Sequence, residues 1–213
     1  MNVRHANLSI WRSFLLLAAA VWLCFPGKVE AKPKPDTLIF LLADVELPEK
    51  APASLETKIR KQFAKQVDDH PRLLSAIPKE APALDDSNPD RRGNKAFRAY
   101  MKKHHMRAYR VTIQVTRYDV ASNPNERKPG HLLSAFLGFH MFGEALPFRT
   151  MAFSADGSAK IAIEVGKKIR AKDKEFVLDD TIKLTLEQAV ASSLDKLNAA
   201  KKKPRERRSR KKR

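Results

Sequence analysis

The sequence AYRVTIQVT, residues 108–116, is the main evidence for the fold class, because apolar and polar side chains alternate along the whole segment. Tyr109, Val111, Ile113 and Val115 are apolar, and the residues between them are polar or charged. A period of two places the apolar set on one face of a β-strand and the polar set on the other. We therefore predict a strand with one buried and one solvated face, which is typical of an antiparallel sheet.

Apolar segments on both sides of this strand predict further strands. Residues 37–47 (TLIFLLADVEL) form a continuous apolar run, as expected for a central first strand covered on both faces. Gly138, within a later strand, suggests a β-bulge or a close backbone approach. The sequence ADGS at residues 155–158 predicts a hairpin turn between the last two strands. The remaining predicted strands span residues 72–77, 131–142, 149–154 and 159–165.

Three segments repeat apolar residues at helical spacing. The first begins at Ser54, which is expected to cap it, and places an apolar residue at every fourth position from Leu55 to Val67. The other two helices are predicted over residues 94–106 and 179–198. The order of elements predicts an α+β fold, with three helices packed on one largely antiparallel sheet of about five strands.

This element order resembles that of the small periplasmic α+β domains of the TolB N-terminal and penicillin-binding-protein-activator type. The features that carry the resemblance are the apolar first strand, the short second strand, and the sequence AYRVTIQVTRYDV leading into a meander and a closing helix. It covers residues 37–198. The resemblance implies a non-enzymatic envelope module that docks on other proteins, and the basic C-terminal tail described below departs from that type.

The N-terminal residues have the pattern of a signal peptide. Arg4 and Arg12 precede an apolar run at residues 14–25, and small or medium side chains precede a cleavage position after Ala31. As a helix this run would rise only about 18 Å, against a bilayer hydrocarbon core of about 30 Å. A retained membrane anchor is the alternative. We expect an exported protein, periplasmic or extracellular, that is not an integral membrane protein after cleavage.

Cleavage after Ala31 would leave a mature chain without cysteine or tryptophan. The single cysteine of the chain, Cys24, and both tryptophans, Trp11 and Trp22, precede the cleavage position. Disulfide crosslinks, thiolate metal sites and thiol catalysis are thereby excluded for the mature chain.

The formal net charge of +18 is unevenly distributed along the 213 residues. The C-terminal segment at residues 201–213 carries a net charge of +9, the predicted signal peptide carries +2, and the residues between them carry +7. A segment that repels itself and has no apolar side chain is expected to be disordered. We therefore predict a signal peptide at 1–31, a linker at 32–36, one α+β domain at 37–200 and a disordered basic tail at 201–213.

The tail and one face of the second predicted helix are the candidate anion-binding regions. For an exported protein the available polyanions are anionic lipid, lipopolysaccharide, wall polymers and extracellular DNA. Each basic residue near an anionic bilayer contributes about 1 kcal/mol to binding. A merely solvated tail and a merely solvated helix face are the alternatives. The candidate residues are Lys102, Lys103, Arg107, Lys201, Lys202, Lys203, Arg205, Arg207, Arg208, Arg210, Lys211, Lys212 and Arg213.

The sequence contains no pattern that indicates catalysis or a cofactor. The loop at residues 86–90 begins like a calcium loop, but Arg91 stands where glycine is needed. The neighbouring pairs His104–His105 and His140–Met141 would point their side chains apart on a helix or a strand, which disfavours a shared metal ion. HExxH, GxSxG and phosphate-binding glycine motifs do not occur. We therefore predict a protein that is not an enzyme and needs no metal or cofactor.

Two functional hypotheses follow from these observations. The first is an exported, non-catalytic envelope interaction module that is tethered to an anionic surface by its tail and docks on another protein. The second is a nucleic-acid-binding protein that uses the tail and the basic face of the second helix. Binding to anionic vesicles and to duplex DNA at matched salt distinguishes the two.

Overall fold

A computed structural model describes residues 36–85, 94–126 and 128–202. The predicted signal peptide, most of the predicted linker and the tail beyond Lys202 lie outside these residues. In chain order the elements are β1 (Thr37–Glu46), α1 (Ser54–Asp69), β2 (Leu73–Leu74), α2 (Lys95–Lys103), β3 (Met106–Pro124), β4 (His131–Ala145), β5 (Thr150–Val165) and α3 (Ala171–Lys202).

The sheet is mixed, so the prediction of a largely antiparallel sheet is wrong. Its strand order is β2-β1-β3-β4-β5. β1 lies between β2 and β3 and is parallel to both, whereas the β3–β4 and β4–β5 pairs are antiparallel. The helical connections explain this arrangement, because α1 returns the chain to the start of β2 and α2 returns it to the start of β3. Side-chain alternation within β3 reports which face is buried and carries no information on the direction of its neighbour.

The three helices also do not share one face of the sheet. α1 and α3 pack on the face that we call the inner face, where Leu38 and Phe40 of β1 belong to the main core. α2 packs on the opposite, outer face, where Phe97 and Met101 contact Ile39. β1 is therefore covered on both sides, as its continuous apolar sequence predicts.

The predicted hairpin at residues 155–158 is wrong, because β5 is one continuous strand. Gly157 pairs with Phe139 in the middle of the β4–β5 ladder. A Cβ atom added at Gly157 would lie 2.3 Å from the carbonyl oxygen of Thr185 and 2.9 Å from the amide nitrogen of Ala189, both in α3. The glycine thus allows α3 to approach the sheet closely and does not form a turn.

α3 makes this close approach with a row of small and polar residues at every fourth position. Thr181 donates its hydroxyl to the carbonyl of Val177 at 2.6 Å, and Thr185 donates to that of Thr181 at 2.7 Å. Ser193 donates to the carbonyl of Ala189 at 2.8 Å. Because each hydroxyl is satisfied within the helix, these residues are buried against the sheet without an unpaired donor.

The boundaries of the other helices differ from the predicted ones in detail. α1 begins at Ser54, but the capping position is Ala53, and no side chain caps the helix. The four apolar residues of its predicted face are all buried. α2 ends at Lys103, and β3 begins at Met106, within the range predicted for the second helix. The bulge suggested at Gly138 is found opposite it in β3, between Val115 and Arg117.

Lys58 links α1 to α3 and gives a pH-dependent prediction. Its Nζ lies 3.0 Å from Oε1 of Glu175 and 2.7 Å from Oδ1 of Asp179. Partial burial lowers the pKa of Lys58, but hydrogen bonds to the two carboxylates outweigh this effect and raise the pKa above 10.5. A raised lysine pKa stabilises the fold below the unfolded-state pKa, and the contribution is lost as the pH rises through the folded-state pKa.

We therefore expect Lys58→Met to lower the free energy of unfolding by less than about 1 kcal/mol at neutral pH, because the pair is largely solvated. Urea unfolding at a series of pH values measures the difference in unfolding free energy between the variant and the wild type. This difference should shrink above pH 10.5. Lys61→Met, at an exposed position of the same helix, is the control. A difference for Lys58→Met that grows with pH would contradict the assignment.

Candidate anion-binding site

One end of the sheet brings together segments that are far apart in the sequence. Thr37, at the start of β1, pairs with Met106 at the start of β3. Ala145, at the end of β4, pairs with Tyr109 of β3 and with Thr150 at the start of β5. We call this region, defined as Asp36 with residues 98–109 and 145–151, the basic end.

A cleft of about 430 Å³ opens at the basic end between α2, the start of β3 and the β4–β5 turn. Its apolar lining includes Phe97, Met101 and Leu146, whereas its charged lining includes three cationic side chains. An apolar cleft bordered by cations suits a ligand that combines an anionic group with an apolar part. The cationic residues are Arg98, Lys102 and Arg107.

Arg107 is the residue of this cleft with the most evident unmet hydrogen-bonding capacity. Its Nε lies 3.2 Å from Oδ2 of Asp36, and its side chain is 35% exposed. Nε and Nη2 are both buried; Nε is ion-paired with Asp36, whereas Nη2 has no hydrogen-bond partner among the described residues. A buried donor without an acceptor is destabilising, and a phosphate or carboxylate oxygen in the cleft would provide the acceptor.

Lys102 and Lys103 occupy the last turn of α2, and both are exposed. Cations are favoured there because the carboxyl end of a helix carries a partial negative charge. His105, two residues further, has a φ of 53°, in the left-handed region that β-carbon-bearing residues rarely adopt. The chain therefore makes a tight turn between α2 and β3, and Lys102 lines the same cleft as Arg107 at the start of β3.

α3 leads the chain toward the basic end. Val177, near the start of α3, packs in a cluster with Leu133, which lies near the start of β4 at the end of the sheet opposite the basic end. Further along, Gln188 accepts a hydrogen bond from the amide of Ser158, and Lys196 donates to the carbonyl of Ser154. α3 thus runs antiparallel to β5, which starts at the basic end, and side chains of α3 satisfy polar groups on the β5 edge.

The structure brings some of the predicted anion-binding residues together and does not describe the others. Lys102 and Arg107 line the cleft, and Lys103 is adjacent to it in the sequence. The backbone of α3 includes Lys201 and Lys202, the first two residues assigned to the tail. The predicted residues outside the described part of the chain are Lys203, Arg205, Arg207, Arg208, Arg210, Lys211, Lys212 and Arg213.

Sequence reasoning did not include the β4–β5 turn in the site. The turn contributes Leu146, Pro147 and Phe148 to the cleft, and the guanidinium of Arg98 lies 5.5 Å from the centroid of the Phe148 ring. The available clue was the sequence LPFRTM at residues 146–151, in which a turn carries large apolar residues next to an arginine.

A second polar cluster lies on the outer face of β4 and β5. Nδ1 of His140 is 2.7 Å from Oδ1 of Asp156, and its Nε2 is 3.2 Å from Oγ of Ser154. The order of these contacts is that of a serine, histidine and aspartate triad. However, the Asp156 side chain is 76% exposed. The nearby described cleft includes Asp156 but neither Ser154 nor His140, so we interpret the cluster as cross-strand hydrogen bonding.

In the described part of the chain, the other residues considered as metal ligands do not lie close enough together to share an ion. His140 lies on the outer face, while Met141 is fully buried in the main core on the inner face, so the two point to opposite sides as predicted. Among the residues described, no three histidine, aspartate or glutamate side chains are grouped as metal ligands. In the same part of the chain, no helix is both long and apolar enough to cross a bilayer.

Comparison with known proteins shows distant similarity of architecture. No protein-family model and no curated protein matches the chain. A solved protein from Xanthomonas campestris is 8% identical, with a TM-score of 0.43, over 79% of this chain and 90% of that chain. A putative lipoprotein from Caulobacter crescentus is 10% identical, with a TM-score of 0.41, over 78% of this chain and 93% of that chain.

Rare lipoprotein B from Shewanella oneidensis is 8% identical, with a TM-score of 0.38, over 76% of this chain and 98% of that chain. Similarity at this level assigns neither a family nor a function to the chain. The resemblance to TolB N-terminal and penicillin-binding-protein-activator domains stays a prediction.

Proposed function

We propose that this protein is an exported, non-catalytic interaction module that attaches to an anionic envelope surface through its basic end and its tail. The observation that carries the proposal is a convergence in space. Lys102, Lys103 and Arg107 lie at the end of the sheet toward which α3 leads the chain. The N-terminal pattern of residues 1–31 supports export.

The grouping of charge matters because electrostatic attraction is short-ranged at physiological salt. The Debye length is about 8 Å, so basic residues cooperate on a charged surface only when they face it together. The grouped residues are not all basic, because Asp36 also belongs to the basic end and lies beside Arg107. Attachment to a charged surface requires no fixed geometry of contacts, which suits exposed lysines and a segment rich in basic residues.

The second part of the proposal is that the attached domain docks on another envelope protein. Its support is the predicted resemblance to envelope docking domains together with the lack of a recognised catalytic motif in the sequence. Crosslinking in intact cells, followed by mass spectrometry of the purified adduct, tests it. A protein recovered only as an uncrosslinked monomer would contradict docking.

Lys102→Glu combined with Lys103→Glu is expected to weaken binding to anionic vesicles at least tenfold, since each basic residue contributes about 1 kcal/mol. Both side chains are exposed, so the fold should be retained. Co-sedimentation with phosphatidylglycerol-containing vesicles at low and physiological salt gives the affinity. The matched control is Lys167→Glu with Lys168→Glu, two adjacent exposed lysines after β5, at the opposite end of the sheet.

The control separates a localised site from net charge alone, because both double variants change the charge equally. Equal losses of affinity would contradict the basic end as the attachment site. Removal of residues 203–213 should weaken vesicle binding further while leaving the thermal unfolding midpoint unchanged. Tighter binding of the wild type to duplex DNA than to vesicles at matched salt would instead support the nucleic-acid hypothesis.

A further inference from the structure

Two large apolar side chains are exposed at the basic end. Phe148 is 40% exposed and Met151 is 64% exposed, and both lie at the β4–β5 turn. Isolated apolar side chains on a surface are common and need no explanation. Here, however, the two lie three residues apart at the same tip, next to a cleft with cationic lining.

The turn that carries them is closely associated with cations. Arg98 lies over the ring of Phe148, and Lys102 and Arg107 line the same cleft as that ring. Arg149, between the two apolar residues, has a φ of 50°, in the left-handed region. This conformation costs about 1–2 kcal/mol for a residue other than glycine, so the surrounding structure holds the turn in a defined shape.

We propose that the β4–β5 turn inserts Phe148 and Met151 into the interfacial region of an anionic lipid bilayer, while the surrounding cations contact lipid phosphates. The inference rests on the proposed function and names lipid as the anionic surface. Interfacial binding strength grows with buried apolar area and with attraction to anionic headgroups, and the basic end provides both. A wall polymer or DNA would use the charges but would leave the two apolar side chains in water.

The positions of the described chain ends agree with this orientation. The chain enters β1 at Asp36, and α3 approaches the same end of the sheet before Lys202. The described chain therefore begins and ends on the side proposed to face the lipid. The far end of the sheet instead carries Phe176, a comparably exposed apolar residue near the start of α3.

The test uses an environment-sensitive fluorophore on a single cysteine at position 151, introduced as Met151→Cys in the chain that begins at Lys32, which contains no cysteine. Phe176, which is 55% exposed, supplies the matched control as Phe176→Cys. With phosphatidylglycerol vesicles, the label at 151 should show blue-shifted, brighter emission that lipid-borne quenchers reduce. The label at 176 should keep its aqueous emission while the protein is equally vesicle-bound.

Affinity measurements complete the test. Met151→Asp should weaken vesicle binding about tenfold, because it replaces an inserted apolar group by a charge that anionic lipid repels. Phe176→Asp should bind as the wild type does. If Lys102→Glu with Lys103→Glu loses binding but Met151→Asp does not, and the label at 151 stays aqueous, electrostatic attachment stands and insertion is overturned. If the wild type does not bind these vesicles at low salt, both proposals are overturned.

Discussion

The Gly157→Val variant is expected to lose at least about 3 kcal/mol of unfolding free energy, a large fraction of the stability of a typical domain. A Cβ atom at Gly157 would be 2.3 Å from the carbonyl oxygen of Thr185 and 2.9 Å from the amide nitrogen of Ala189. Both are backbone atoms of α3, so no change of side-chain rotamer can relieve the clash. The helix would have to move away from β5 and expose the core between them.

Urea unfolding followed by circular dichroism measures this effect. Gly166→Val is the matched control, because a Cβ atom added at Gly166 would meet no atom within 4 Å in the described part of the chain, apart from its own chain neighbours. The control should change the unfolding free energy by no more than about 0.5 kcal/mol. A Gly157→Val protein as stable as the control would contradict the close packing of α3 on β5.

Phe40→Ala is expected to lower the unfolding free energy by about 3–5 kcal/mol, as is typical for removing a buried phenyl ring. Phe40 lies in β1 and is 0% exposed. Its ring centroid is 5.8 Å from that of Tyr109 and 5.4 Å from that of Phe153. The ring thus joins three strands on the inner face, and its removal leaves a cavity among large side chains that are already close-packed.

The control for this variant is Phe176→Ala, which removes the same number of atoms from a side chain that is 55% exposed. We expect a loss of only about 1 kcal/mol, because about half of the ring already remains in water there. Parallel urea titrations give both values. Equal effects at the two positions would contradict the burial of the Phe40 ring in the main core of the inner face.

The prediction for Gly157→Val bears on the proposed attachment to lipid. α3 leads toward the basic end only because it packs along β5, and Gly157 permits that packing. In a variant in which α3 detaches, the end of α3 and the cations of α2 would no longer lie at the same end of the sheet. The arrangement of charge proposed to face an anionic surface is therefore a property of the folded domain.

The elements that were predicted best from the sequence are those in which apolar residues recur at a regular spacing. In β3, Val111, Ile113 and Val115 are buried, as the alternation in residues 108–116 predicts. In α1, the apolar residues from Leu55 to Val67 are all buried. Local periodicity is reliable here because it records which face of a strand or helix must leave water.

The elements predicted incorrectly depend on contacts between distant parts of the chain. The sequence ADGS at residues 155–158 has the composition of a turn, yet it continues β5. Gly157 is needed there because a side chain would clash with the backbone of α3. Likewise, the direction of β1 follows from the helical connections and not from its own apolar sequence. The role of a glycine or the direction of a strand cannot be read without its partner.

The amino-acid sequence alone indicates the class of the elements, their buried faces, and the concentration of positive charge in the last 13 residues. These features are local, because they depend on side-chain chemistry and on spacing within one segment. The tertiary structure was needed to show that the sheet is mixed and that its helices lie on two faces. It also brought α2, the β4–β5 turn and the end of α3 to one end of the sheet, because that meeting depends on packing between residues distant in the chain.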